Sequence, residues 1–140
     1  MTKQAIAFAA LAMLPACMYA ADGQILINQA TVNAAGGFPY VISQPGSYKL
    51  SGNLIVADKN KTAIEITTNN VTVDLNGFAI IGPADCTGGF PCLNATDVHG
   101  GLGITTRVLN PLNYFDITIR NGSIQGMGGT AIDLNGDHHC

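Results

Sequence analysis

A short alternating pattern that returns along the chain constrains the fold more than any other feature. Between Thr62 and Gly82 the sequence TAIEITTNNVTVDLNGFAIIG holds two alternating runs, Ile64-Glu65-Ile66 and Val71 to Leu75. An Asn-Gly pair and the apolar run Phe78 to Ile81 follow. Residues 129–134 echo the first run, and residues 116–122 echo the second. The step from Ile104 to Ile117 is longer than the matching step from Ile64 to Val71, and the excess falls in 107–113. The step from Val71 to Ile104 exceeds that from Ile117 to Ile132 by the whole length of 83–100. That segment has two cysteines, two prolines and no periodicity. With both excesses removed the repeat is roughly 22 residues, and a period in the twenties made of short strands and turns predicts a solenoid.

Alternation sets Ile64, Ile66, Val71, Val73 and Leu75 on one face and Glu65, Thr72 and Asp74 on the other. Parallel neighbours repeat at about 4.8 Å. Val71 should therefore stack on Ile117, Val73 on Ile119, and Ile64 on Ile104 and Ile132. The same register sets Asp74 beside Arg120 as an outward, exposed ion pair. Asn-Gly pairs at 76–77, 121–122 and 135–136 offer positive-φ corners. The segment 83–100 is expected to loop out of this body, because its prolines cannot continue a parallel ladder.

Residues 1–21 read as a signal peptide, with Lys3, an apolar core over 5–14 and small residues at Ala20 and Ala21 for cleavage. The apolar run is too short for a transmembrane segment. Leu14-Pro15-Ala16-Cys17 is similar to a bacterial lipobox, which would put a lipid anchor on Cys17, although proline is unusual there. Beyond residue 21, five basic residues face nine acidic ones with no basic patch, which argues against nucleic acid as a partner. Export allows disulfides. Cys86 and Cys92 bracket the turn-forming Thr-Gly-Gly-Phe-Pro and are expected to pair, half of a metal site being the other reading. Cys140 is left without an evident partner.

Residues 22–56 read as an N-terminal cap and lead-in coil, and 57–140 as the repeat. Gln29 to Ala35 is moderately helical, and Gly36-Gly37 would end it. Such a helix would cover the first open coil. Tyr40-Val-Ile, Tyr48-Lys-Leu and Leu54-Ile-Val read as strands, with a spacing that does not fit the register of the repeat.

With PGSYKLSGNLIV, NVTVDLNGFAIIG and DITIRNGSIQG in view, the chain from about Tyr40 onward resembles secreted right-handed parallel β-helix proteins of the pectin-lyase-like superfamily. The resemblance implies an all-β, right-handed, single-stranded parallel β-helix of few coils. It leaves the activity open, because that fold carries lyases, hydrolases, tailspikes and non-enzymatic surface proteins. The calcium-binding aspartates with an Arg or Lys base that mark the lyases are not evident. Neither are the Asn-Thr-Asp, Asp-Asp and Gly-His-Gly motifs of the galacturonases; Val98-His99-Gly100-Gly101 touches the last of these only in part.

Glu65 and Asp133 occupy equivalent outward positions with Thr105 between them. Two strand spacings would separate them by about 9.6 Å, at the upper edge for an inverting pair, and a solvated face is the simpler reading. Asp137-His138-His139-Cys140 has metal-ligand residue types but lies at a chain end with no fixed geometry. Four Asn-X-Ser/Thr sequons, at Asn60, Asn70, Asn94 and Asn121, read more simply as corner and strand residues. No catalytic, cofactor or metal residue is therefore assigned.

The expected function is that of an exported, non-catalytic β-helix for carbohydrate binding or surface structure, in the periplasm, at the cell surface or secreted. The alternative is the N-terminal part of a polysaccharide lyase or glycoside hydrolase. The repeat that opens at 130–134 is followed by only a short tail, so further C-terminal coils or a stacking partner are expected.

Overall fold

The computed structural model describes residues 23–85, 87–89, 92–93, 100–106 and 116–134. The elements are β1 (Ile25–Ile27), α1 (Gln29–Ala34), β2 (Tyr40–Ile42), β3 (Gly46–Leu50), β4 (Leu54–Ile55), β5 (Ile64–Ile66), β6 (Val71–Asp74), β7 (Ala79–Ile81), β8 (Ile104–Thr106), β9 (Ile117–Arg120), β10 (Ser123–Gln125) and β11 (Ile132–Asp133). The chain is all-β apart from the one short helix among the described residues. Its strands form three open sheets: A, in the order β1-β3-β6-β9; B, β2-β5-β8-β11; and C, β4-β7-β10. Every named pairing is parallel. From β2 onward the chain visits the sheets in a fixed rotation, B then A then C, and each round is called a pass below.

The register agrees with the sequence pairings. Val71 lies opposite Ile117 and Val73 opposite Ile119. Ile64 lies opposite Ile104, and Ile104 opposite Ile132. These inward columns are the core, with Ile42, Leu50, Leu54, Ile64, Ile66, Val73, Ile80 and Ile104 all fully buried. Alternation explains the selection: β5 reads buried, intermediate, buried, with Glu65 at the middle position. Thr106 ends the column Ile42–Ile66–Thr106, where its buried hydroxyl oxygen has no hydrogen-bond partner.

The lead-in strands belong to the same columns. Tyr40 pairs with Ile64, Tyr48 with Val73, and Leu54 with Ile80. Each of these steps is longer than the last, and all three exceed the repeat expected from the later strands. The connections account for it: residues 56–63 join β4 to β5, a longer link than 126–131 between β10 and β11. The last step also spans a long corner, because Leu75 to Phe78 separate β6 from β7, whereas only Asn121 and Gly122 separate β9 from β10. At the longer corner Asn76 and Gly77 both take positive φ, 52° and 79°, and Phe78 N–H closes the turn on Leu75 O at 2.8 Å. At the shorter one Asn121 alone does so, at 59°.

β1 adds one strand before this pass, pairing with β3. The helix follows it, and a capping box starts the helix. Asn28 Oδ1 accepts from Thr31 N–H at 3.0 Å, and Thr31 Oγ1 accepts from Asn28 N–H at 2.9 Å. Gly36 and Gly37, at φ 101° and 95°, carry the chain away after Ala35. Val32 buries its side chain in the core, and Gln29 Oε1 accepts the Ile55 N–H at the open edge of β4, 2.9 Å away. The helix thus satisfies an edge group that would otherwise be left to water.

Within 83–100, Asp85 and Leu93 exchange backbone hydrogen bonds of 2.8 Å as an isolated antiparallel bridge. None of the described residues of that segment belongs to the three sheets. The excess assigned to 107–113 lies outside the described residues.

Candidate functional site

The outward face of sheet A carries the densest set of polar side chains. The pairing of β3, β6 and β9 lines up Ser47, Thr72 and Thr118 in one column and Lys49, Asp74 and Arg120 in the next. Their order follows from period two: each is the outward neighbour of an inward-facing core residue. Leu26 begins the second column on β1. Cation, anion and cation thus succeed one another at the strand spacing of about 4.8 Å.

Asp74 is the centre of the group. Arg120 Nε lies 3.2 Å from its Oδ2, so the predicted pairing is present. It is not the exposed pair expected from the sequence: Asp74 keeps only 7% of its surface, while the Arg120 side chain keeps 51%. The corner asparagines cause the burial. Asn76 N–H donates to Asp74 Oδ1 at 2.8 Å, and Asn121 Nδ2 donates to both carboxylate oxygens at 3.2 and 3.3 Å. Asn76 Nδ2 in turn donates to Leu50 O in the preceding pass at 3.1 Å. The Asn76 N–H holds the Asp74 carboxyl below its ordinary range. Burial opposes this, and the Asn121 amide, Arg120 and Lys49 add to it.

A depressed folded-state value means that Asp74 stabilises the fold above the ordinary carboxylate range, near about 3.9. That stability is lost as pH falls through the folded value. Asp85 carries a shift of the same sign, from the backbone N–H and hydroxyl of Thr87. Asp74→Asn separates the two. The variant is expected to be less stable at pH 7 and to lose less stability than wild type between about pH 5 and pH 2. Urea unfolding across that range measures the slope, and parallel pH profiles would mean that Asp74 does not contribute.

The second candidate from the sequence also falls into place. Glu65 and Asp133 each lie opposite Thr105, on the outward side of sheet B. Both are half-buried, with Val41 completing the column. The expected alignment of the two carboxylates is therefore observed, two strands apart, on an open sheet face. Among the described residues no group of three or more His, Cys, Asp or Glu side chains is placed to hold a metal ion. Ala20, Ala21, Cys17, Cys86, residues 135–136 and the Asp137 to Cys140 tail lie outside the described residues. Nothing in the sequence marked Asn76 and Asn121 as carboxylate partners, since asparagine before glycine reads only as a corner.

No protein-family model, no curated protein and no solved structure matches the chain. Its standing rests on its own geometry: all-β, with three open parallel sheets visited in rotation. Among the described residues no helix is long and apolar enough to cross a membrane.

Proposed function

We propose that the chain is an exported right-handed parallel β-helix of the pectin-lyase-like type, non-catalytic as it stands, that binds polysaccharide along the outward face of sheet A. One observation carries the reading. The fixed rotation of strands through three parallel sheets stacks Ser47, Thr72 and Thr118 beside Lys49, Asp74 and Arg120 as a continuous polar strip. Hydroxyls in a row suit the hydroxyls of an extended glycan. Lys49 and Arg120 suit a carboxylate or sulfate on it. The helix α1 acts as the N-terminal cap, and residues 1–21 direct export to the periplasm, cell surface or medium.

Affinity electrophoresis in gels holding neutral or uronate polysaccharide tests the binding. Retardation is expected, and Lys49→Ala with Arg120→Ala should weaken it for the anionic glycan. Unchanged mobility in every gel would leave a purely structural solenoid.

The second reading, the N-terminal part of a polysaccharide lyase or glycoside hydrolase, is favoured by Glu65 and Asp133 on one sheet face. Reducing-end release that is lost in both Glu65→Gln and Asp133→Asn would favour it over binding alone.

The Cys86–Cys92 disulfide belongs to the same proposal. Asp85 and Leu93, each the sequence neighbour of one of the two cysteines, form a hydrogen-bonded antiparallel pair. Non-reducing peptide mapping is expected to return a Cys86–Cys92 linked peptide, and free thiols at both positions would refute the pairing.

A further inference from the structure

β9 is the last strand of sheet A, and its outer edge has no neighbouring strand among the described residues. Val71 N–H donates to Asp116 O at 3.0 Å, and Leu75 N–H to Arg120 O at 2.8 Å. Backbone groups alternate sides along a strand. Residues 116, 118 and 120 therefore face β6, and Ile117 and Ile119 turn their N–H and C=O groups to the open edge. A strand that completes this edge must present matching groups at the same spacing.

The sequence Asp116-Ile-Thr-Ile-Arg120 is complementary to itself read backwards. Run antiparallel with Thr118 opposite Thr118, it sets Ile117 against Ile119 and brings Asp116, the left-handed residue (φ 57°) just before the strand, up to Arg120. Ile117–Ile119 is then the pair that exchanges both backbone hydrogen bonds, so every open-edge group of the two residues is used. The inward aliphatics remain on one face, and Asp116 and Arg120 neutralise each other at both ends. Asp116 is exposed, and half of the Arg120 side chain is open even with Asp74 in contact. A guanidinium that gives Nε–H to Asp74 still has its Nη donors.

The apolar surface agrees with this arrangement. The inward residues of the last pass, Ile117, Ile119 and Ile124, are only half-buried, whereas their partners Val71, Val73 and Ile80 are fully buried. Ile119, Ile124, Ala131 and Ile132 line a concavity beside the β9 edge. The antiparallel pairing sets this concavity against its own copy. The opposite end of the molecule is a poorer partner. A head-to-tail contact with β1 would continue the column Arg120, Asp74, Lys49 onto Leu26 and offer Arg120 no anion.

We infer that two copies of this chain associate through an antiparallel β9–β9 pairing centred on Thr118, extending sheet A across both molecules. This rests on strand register and charge, and is independent of glycan binding.

Sedimentation equilibrium of the purified chain is expected to give a concentration-dependent dimer. Asp116→Asn, which removes one charge at each end of the pairing, is expected to weaken it roughly two- to thirtyfold. Thr118→Cys reads the register directly. Residues opposed at a non-hydrogen-bonded position have Cβ atoms about 4.5–5.5 Å apart, within reach of a disulfide after slight adjustment. Mild oxidation should link Thr118→Cys into dimers, while Thr72→Cys, one strand inward in the same column, should not link. A monomer at all concentrations, or linkage of the two cysteine variants at equal rates, would overturn the association. An unchanged dissociation constant in Asp116→Asn would overturn the register.

Discussion

Ile64→Ala is expected to lower the unfolding free energy by about 2–5 kcal/mol. Ile64 is fully buried at the middle of the column Tyr40, Ile64, Ile104 and Ile132. Backbone ladders on both sides hold its neighbours at a fixed spacing, so the surroundings have little freedom to close on the space left behind. Domains of this size have about 5–15 kcal/mol in total, so the loss is a large fraction of the whole. Ile132→Ala removes the same atoms from the same column at the sheet edge. There 43% of the residue is already exposed. Its cost is expected at about 1 kcal/mol or less. Urea unfolding of both variants checks the contrast, and equal losses would show that the column is not packed as described.

Gly82→Ala is the second large effect, expected to cost about 1–3 kcal/mol. Gly82 does not have a positive φ, so the cost is one of contact. A Cβ added there would meet the backbone of Gly126 in the next pass and lie 2.8 Å from Met127 Cα. Main chain cannot turn aside as a flexible side chain can, so the two passes must separate. Gly88→Ala is the control: its Cβ would meet nothing within 4 Å, and a change within about 0.5 kcal/mol is expected. Thermal unfolding of the pair checks this, and a neutral Gly82→Ala would contradict the close approach of the two passes.

The strand partners were legible in the sequence because alternation has a period of two and tolerates no slip of a single position. Val71 with Ile117, Ile64 with Ile104, and Asp74 with Arg120 all follow from it. Corner lengths were not legible. The shorter and the longer corner both present Asn-Gly, and only the pairing of β7 with β10 tells them apart. The link from β4 to β5 is likewise longer than that from β10 to β11, so Tyr40, Tyr48 and Leu54 failed a fixed register although they begin the same columns as the later strands. β1 was missed because Ile25-Leu26-Ile27 is too short to display a period. The burial of Asp74 was hidden for a different reason. Alternation places it outward, and only the fold of Asn76 and Asn121 over its carboxylate encloses it. The aligned carboxylates Glu65 and Asp133 were legible as a register, but a register alone assigns them no chemistry.

Amide–amide NOEs along one column test the parallel stack most directly. Uniformly labelled chain is expected to give cross-strand contacts from Tyr40 to Ile64, from Ile64 to Ile104 and from Ile104 to Ile132, all pairs remote in sequence. Each strand should show a parallel pattern to both of its neighbours. Antiparallel contacts between strands adjacent in sequence, such as β5 with β6, would contradict the three-sheet rotation and with it the β-helix reading.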